Sequence, residues 1–284
     1  MKISIIINTF NEEKNIENCL ESVKWADEIV VVDMYSEDNT VGIARKYTDK
    51  IFFFERMGYA DPARQFALEK ASNEWILVLD ADELVPLKLM NKLHEIIDKD
   101  CGDVIYIPRN NYFAGKQIHN MGWGALDDLQ PRFFKKKYLS FGEKIHDFYN
   151  INEDARIYKI TDPREGFIHF SYLDFEDYID RLNKYTSIES KNIFENKEKQ
   201  NQQKNIISLL VKLLNVFFSN YIRKRAYKDG FRGLSLSLLA VMYNLTVYLK
   251  LTLMEEYNTI DTREKVRDEY LKIIDKLLLE YNEK

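Results

Sequence analysis

The residues best suited to chemistry are the acids of Asp80-Ala81-Asp82-Glu83, which directly follow the apolar run Trp75 to Leu79. Carboxylates two positions apart at the end of a buried strand are hard oxygen donors. They suit Mg²⁺ or Mn²⁺, which bind through one or two carboxylates and complete their shell with phosphate oxygens. A cation held in this way neutralises a diphosphate lying beyond the strand. The same four residues also suit a solvated acidic turn that caps the helix starting at Pro86, and spacing alone leaves both readings open. Further candidates are Arg64 for a pyrophosphate, Arg132 for an anionic acceptor, and His146 for a metal or a phosphate oxygen. Trp123, between Gly122 and Gly124, is placed to close on a sugar. Their structural alternatives are a solvated helix face for Arg64, an edge-strand charge for Arg132 and a packed ring for His146 or His169.

These side chains need a scaffold. Ile3 to Ile7, Glu28 to Val32, Ile51 to Phe54 and Trp75 to Leu79 are short apolar runs, as expected of strands covered on both faces. Asn8-Thr9-Phe10-Asn11-Glu12-Glu13 interrupts the first, and Asn11 is expected to cap the helix that carries Ile16, Cys19, Leu20 and Val23. Thr40 to Tyr47, Pro62 to Ala71 and Pro86 to Ile97 are predicted helices, and Val104 to Ile107 and Pro131 to Phe134 later strands. Strands alternating with helices predict parallel pairing, with ligands beyond the carboxyl ends of the strands. Asn8, Asp33 and Asp80 all stand at those ends.

After about Phe170 the pattern becomes helical: Asp174 to Lys199, Ile206 to Phe218, Leu234 to Leu249 and Arg263 to Tyr281. This predicts a nucleotide-sugar-binding and catalytic domain over 1–172 and a helical region over 173–284. The sixteen uncharged residues from Leu234 to Leu249 fall short of the ~20 of a membrane span, although an extension to Met254 adds only Lys250. The basic stretch Arg223 to Arg232 just before them suits an anionic membrane surface. An internal or homo-oligomeric helical bundle fits the same run.

A chain of 284 residues with a net charge of -5 is not composed as a general nucleic-acid binder. Cys19 and Cys101 form no CxxC pair, and no export signal precedes the first strand, so a cytoplasmic location is expected. The first strand–helix connection has no glycine-rich phosphate loop, which argues against nicotinamide or flavin binding. No serine nucleophile elbow is present.

Ile5-Ile6-Ile7-Asn8-Thr9-Phe10-Asn11-Glu12-Glu13 resembles the opening of the family 2 glycosyltransferases. Val32-Asp33-Met34-Tyr35-Ser36-Glu37-Asp38-Asn39-Thr40 is similar to their second motif, and Leu79-Asp80-Ala81-Asp82-Glu83 to their metal-binding motif. Gly58, Arg64, Gln65, Gln130-Pro131-Arg132-Phe133-Phe134, Lys144-Ile145-His146-Asp147 and His169-Phe170-Ser171-Tyr172 resemble the branch of lipopolysaccharide core β-1,4-glucosyltransferases. The motifs span residues 3 to 172. Two departures stand out: Met34-Tyr35 replaces a Ser-Gly-like pair, and Asp147 stands where many relatives carry Glu.

The resemblance implies the glycosyltransferase A fold, a nucleotide-binding α/β sandwich with a mixed, mainly parallel sheet. It implies inverting transfer of a hexose from a nucleoside-diphosphate sugar, UDP-sugar favoured, to a glycan or glycolipid acceptor of the cell envelope at the inner membrane face. Asp147 would be the base, with Glu143 its rival. Asp82 and His146 would hold Mg²⁺ or Mn²⁺, and Thr9, Asn11, Glu12, Asp33, Arg64, Asp80 and Ala81 would bind the nucleotide sugar. Such a transfer needs a carboxylate to take the acceptor proton and a positive charge beside the departing diphosphate. A nucleotidyltransferase and a non-catalytic nucleotide-binding scaffold are the competing readings.

Overall fold

The protein is seen here as a computed structural model that describes residues 1–55, 61–142, 149–196 and 206–282. The chain divides into two compact units, Met1–Tyr172 and Leu173–Lys284.

The first unit begins with β1 (Ile3–Thr9), α1 (Ile16–Glu21), β2 (Glu28–Asp33), α2 (Thr40–Ala44), β3 (Ile51–Phe53), α3 (Asp61–Lys70) and β4 (Trp75–Asp80). It continues with β5 (Glu83–Leu84), α4 (Leu87–Asp98), β6 (Val104–Phe113), β7 (Lys116–Gln117), β8 (Leu129–Lys135), β9 (Leu139–Ser140), β10 (Asn150–Ile151), β11 (Ile157–Lys159) and β12 (Phe167–Tyr172). The main sheet runs β3-β2-β1-β4-β8-β6-β12-β5, with β7 and β11 also on β6. Pairing from β3 to β4 is parallel, as expected. β8 then inserts antiparallel between β4 and β6, so the sheet is mixed.

The near-continuous apolar strands reflect burial on both faces. Ile5, Ile7, Val31, Leu77 and Leu79 pack with Ile16 and Leu20 of α1 and Leu89 and Leu93 of α4. Ile6, Val30, Val32, Ile76 and Val78 face Ala63, Ala67 and Leu68 of α3. Each such fully buried aliphatic contributes roughly 1.5–3 kcal/mol of transfer free energy. Trp75 fills the core as its place in a buried strand implies, stacked on Phe133 with ring centres 4.6 Å apart.

Several boundaries differ from the expectation. β1 runs through Asn8 to Thr9, because Asn8 continues the ladder to both β2 and β4 and Thr9 the ladder to β2. Asn11 is not the cap of α1: Asn15 occupies that position, and Asn11 sits in the left-handed region at φ 55°. α2 stops at Ala44, short of Tyr47. β6 extends six residues past Ile107 because β12 pairs with its outer half.

The second unit contains α5 (Phe175–Glu195), α6 (Ile206–Phe218), α7 (Gly230–Tyr257) and α8 (Thr262–Asn282). Asp174 caps α5, accepting from Asp177 N. The run Leu234 to Leu249 lies within α7, which packs against α5 and α6. Lys250, the charge that closes that run, has its Nζ among Asn183 O, Asn183 Oδ1, Thr186 Oγ1 and Ser187 Oγ of α5, all within 2.8–2.9 Å. Among the described residues, two helical stretches are long and apolar enough to cross a membrane, Ile206–Arg223 and Ala226–Tyr257.

Candidate active site

The register of the parallel strands brings the motif residues together. Asn8 lies opposite Asp80, and Thr9 opposite Asp33, at the carboxyl edge of β1, β2 and β4. Strand alternation places Asn8 and Asp80 on the α3 face, continuing Ile6 and Val78. Arg132 follows the same parity as Phe134, which shares that face. α3 supplies Arg64 from above.

Asp80 is therefore gripped from two sides. Its Oδ1 accepts from Arg64 Nη2 at 2.7 Å, and its Oδ2 accepts from Arg132 Nη2 at 2.7 Å. Burial opposes ionisation of Asp80, but the charges of Arg132 and Arg64 outweigh it and hold the carboxyl well below the usual range. Both arginines, expected at a pyrophosphate and at an acceptor, are thus found on one carboxylate.

The neighbouring acids point elsewhere. Glu83 is fully buried; its Oε2 accepts from Asp80 N at 3.0 Å, and its Oε1 is 3.5 Å from Arg109 Nη1. Burial, reinforced by the charge of Asp80, pushes the Glu83 carboxyl up. Ala81 is buried in the core beneath. Asp82 faces β12, where its Oδ2 lies 3.6 Å from His169 Nε2.

The His169 ring has a defined orientation. Its Nδ1 is 2.6 Å from Asn111 Oδ1. The Asn111 amide nitrogen donates to Arg109 O, Trp123 O and Asp128 Oδ2, which fixes which end of that amide is oxygen. Nδ1 therefore donates to Asn111 Oδ1, with Ser171 Oγ also 2.9 Å from it, and Nε2 is the ring nitrogen that faces Asp82. A ring nitrogen and a carboxylate oxygen turned towards each other are the donor set for a shared cation, with Asn111 as the outer partner that orients the imidazole. Among the described residues, no group of three or more His, Cys, Asp or Glu side chains forms a ready metal cage.

The first and second motifs stitch each other. Asn11 N donates to Ser36 Oγ, Glu37 N to Asn11 Oδ1, Glu12 N to Thr40 Oγ1, and Asn39 N to Glu13 Oε2. Asp33 is fully buried, and both its oxygens accept from Ser36, from the amide at 2.8 Å and from the hydroxyl at 2.6 Å. Tyr35, between them, takes φ 60°, the left-handed conformation that favours the glycine of similar motifs. Its ring is exposed and lies 5.5 Å from that of Phe53, also exposed.

Two groups at this edge are left without partners. The Asn8 amide and the Thr9 hydroxyl are buried, and neither hydrogen-bonds any described residue. A buried unpaired polar group costs roughly 1–3 kcal/mol, so such groups in a native fold call for a bound partner. Trp123 is held in place by stacking on Tyr172 at 6.1 Å and an edge contact with Phe113. Asp147, His146 and Glu143 lie outside the described residues.

Sequence reasoning passed over Arg109, Asn111 and Asp128. Arg109 Nε donates to Asp128 Oδ2 at 2.8 Å, and together they form the floor under Glu83 and His169. No local signal marked Arg109 or Asn111, because Pro108-Arg109-Asn110-Asn111 is a continuous polar run after a proline and looks like a loop in the sequence. Cys19 lies beneath, with Sγ 3.6 Å from Asp80 O; burial first, then the surrounding acids, push its thiol well up, so it is inert.

Comparison with known proteins agrees with the motif reading. The family described as Glycosyl transferase family 2 matches residues 4–153. A Rickettsia bellii protein described as an uncharacterized glycosyltransferase is 30% identical over 248 residues, covering 82% of this chain and 80% of that protein. A lipopolysaccharide core biosynthesis glycosyltransferase of Rhizobium meliloti is 24% identical over 268 residues, covering 92% and 97%. A poly(ribitol-phosphate) beta-N-acetylglucosaminyltransferase of Staphylococcus aureus is 32% identical over 118 residues, 38% of this chain and 21% of that protein. The family match spans the paired ends of β1, β2 and β4, and the Rickettsia match extends over most of both chains; the protein belongs to glycosyl transferase family 2.

Proposed function

We propose that the protein transfers a hexose from a nucleoside-diphosphate sugar, UDP-sugar favoured, to a glycan or glycolipid acceptor in cell-envelope polysaccharide synthesis, with inversion at the anomeric carbon. The observation that carries this reading is the pair of buried, unpartnered groups, Asn8 and Thr9, beside Asp80 and Asp33 at the strand ends. They are poised to bind a polar ligand where nucleotides bind in such sheets. The exposed rings of Tyr35 and Phe53 offer a face on which a nucleobase stacks. The similarity to a lipopolysaccharide core enzyme supports an envelope glycan as acceptor, with peripheral contact at the inner face of the cell membrane.

Asp82 and His169 would hold Mg²⁺ or Mn²⁺, with diphosphate oxygens completing the shell, since two protein ligands suffice for such a cation. Bound there, the metal would neutralise the charge of the departing nucleoside diphosphate. Asp80, saturated by two arginines, positions Arg64 and Arg132 at the diphosphate side of the site and is itself no free metal ligand. Asp147 would take the acceptor hydroxyl proton as the glycosidic bond forms.

Purified protein should turn over a nucleotide sugar only with Mg²⁺ or Mn²⁺, and Asp82→Ala should lower that rate about a hundredfold or more. An Asp82→Ala variant with unchanged metal-dependent turnover would sink the reading. Asp147→Asn should retain donor binding and lose transfer; equal transfer rates would remove it as the base.

A further inference from the structure

Both α6 and α8 leave apolar side chains on the surface of the second unit, and on α6, continued by the helical turn Ser219–Arg223, they form a stripe. Ile206, Leu210, Leu214, Phe218 and Ile222 recur every fourth residue, each more than half exposed, and Val211 widens the stripe. Only 6% of the Ile206–Arg223 stretch is buried, against 22% of Ala226–Tyr257. The outward side of α7 is interrupted by Ser235 and Thr246, and its Lys250 is tied to α5. The helix expected from sequence to meet the membrane is thus the better packed of the two.

α6 and the turn that follows it also carry the matching charge: Lys212 on the helix, Arg223 and Lys224 at the end of the turn. A shallow groove of about 770 Å³ runs along one flank of the stripe, where Lys212, Asn215, Ser219, Arg223 and Lys224 line it together with Val211 and Val216. Among the described residues its charged lining is cationic, with no acid. At ~1.5 Å per residue the 18-residue stretch is about 27 Å long, close to the ~30 Å of a hydrocarbon core. A transmembrane placement would nevertheless sink Lys212, Asn215 and Ser208 into lipid. An in-plane placement puts the stripe among acyl chains and the groove at the phosphates, which is how interfacial amphipathic helices bind.

We propose that α6 is an in-plane membrane anchor that docks on an anionic phospholipid bilayer, its apolar stripe in the acyl boundary and Lys212, Arg223 and Lys224 on lipid phosphates. This deepens the membrane contact proposed above and rests on it, but not on the transfer reaction.

The test floats the full chain with vesicles of phosphatidylcholine, alone or mixed with phosphatidylglycerol, and measures donor hydrolysis in the same samples. The wild type should float with the mixed vesicles and be released as salt rises. Leu210→Asp/Leu214→Asp should weaken vesicle binding about tenfold or more, with donor hydrolysis unchanged. Lys212→Glu/Arg223→Glu/Lys224→Glu alters only the exposed flank and should cost about tenfold in binding to the anionic vesicles. The proposal is overturned if the wild type ignores the mixed vesicles, or if the charge-reversed protein floats equally well. It is also overturned if the free protein is a dimer that Leu210→Asp/Leu214→Asp dissociates, because a second copy then covers the stripe. Lost donor hydrolysis with vesicle binding intact would count against the transfer reading alone.

Discussion

Asp80 and Asp82 sit two residues apart yet occupy different electrostatic settings. Asp80 is compensated by two guanidinium groups, whereas Asp82 faces a histidine nitrogen. Arg132 is nearly buried, and its removal would leave Asp80 and Glu83 sharing a site with less compensation. Arg132→Met should therefore destabilise the fold by about 3 kcal/mol, because breaking a buried ion pair strands the partner charge; a chemical-denaturation midpoint equal to wild type would refute this. Tyr35 calls for a kinetic test. If its exposed ring carries the base, Tyr35→Ala should raise the donor KM about fivefold or more with kcat little changed, since base stacking on an aromatic is worth roughly 1–3 kcal/mol. An unaltered KM would remove the ring from the donor site.

At the scale of elements, the site depends on strands that meet far from each other in sequence. His169 reaches Asp82 because β12 lies between β6 and β5, with His169 opposite Asn111 on one side and Glu83 on the other. Gly166 permits that approach: a Cβ there would come within 2.4 Å of Pro108 O. Gly166→Ala should push the start of β12 off β6, costing about 2 kcal/mol by overpacking and weakening metal dependence of turnover through His169. A variant with wild-type stability and metal affinity would show that the strand shifts without consequence. The loops after β1 and β2 are a second example. Their cross-links from Asn11, Glu12 and Glu13 to residues 36–40 make the two motifs one rigid rim.

For the whole molecule, the end of the sheet opposite the site is a stability element. The buried carboxylate of Glu28 accepts from Ser4, Lys50 and Ser72, which ties β1 and β2 to the connections that lead into β3 and β4. Burial opposes its ionisation, but those hydrogen bonds win and lower its pKa to about 2. A carboxyl depressed in the folded state adds stability above its unfolded pKa of about 4.3 and loses it as pH falls towards the folded value. Glu28→Gln should cost about 2 kcal/mol at neutral pH, reduced from the full shift because Lys50 is half exposed, and the deficit should shrink between about pH 4 and pH 2. Thermal melts of both proteins across that range check it; a constant difference would refute the linkage. The second unit presents the reverse design, with apolar side chains of α6 and α8 left on the surface.

The sequence by itself determined the first four strands, their parallel pairing, and the acids at their carboxyl ends. These follow from local signals: near-continuous apolar runs, as strands buried on both faces require, cut by polar turns. It also determined the family, because the motifs at residues 8–13, 33–40 and 80–83 are contiguous strings. Only the tertiary structure decided which partner each acid takes. The two arginines on Asp80 come from 16 residues before and 52 residues after it, and no local pattern encodes such a meeting. The same holds for His169 beside Asp82 and for the outer half of β6, whose polar residues look like a loop until β12 pairs with them. The choice between α6 and α7 as the exposed apolar surface was equally tertiary: hydropathy is a property of the segment, whereas exposure depends on which face its neighbours cover.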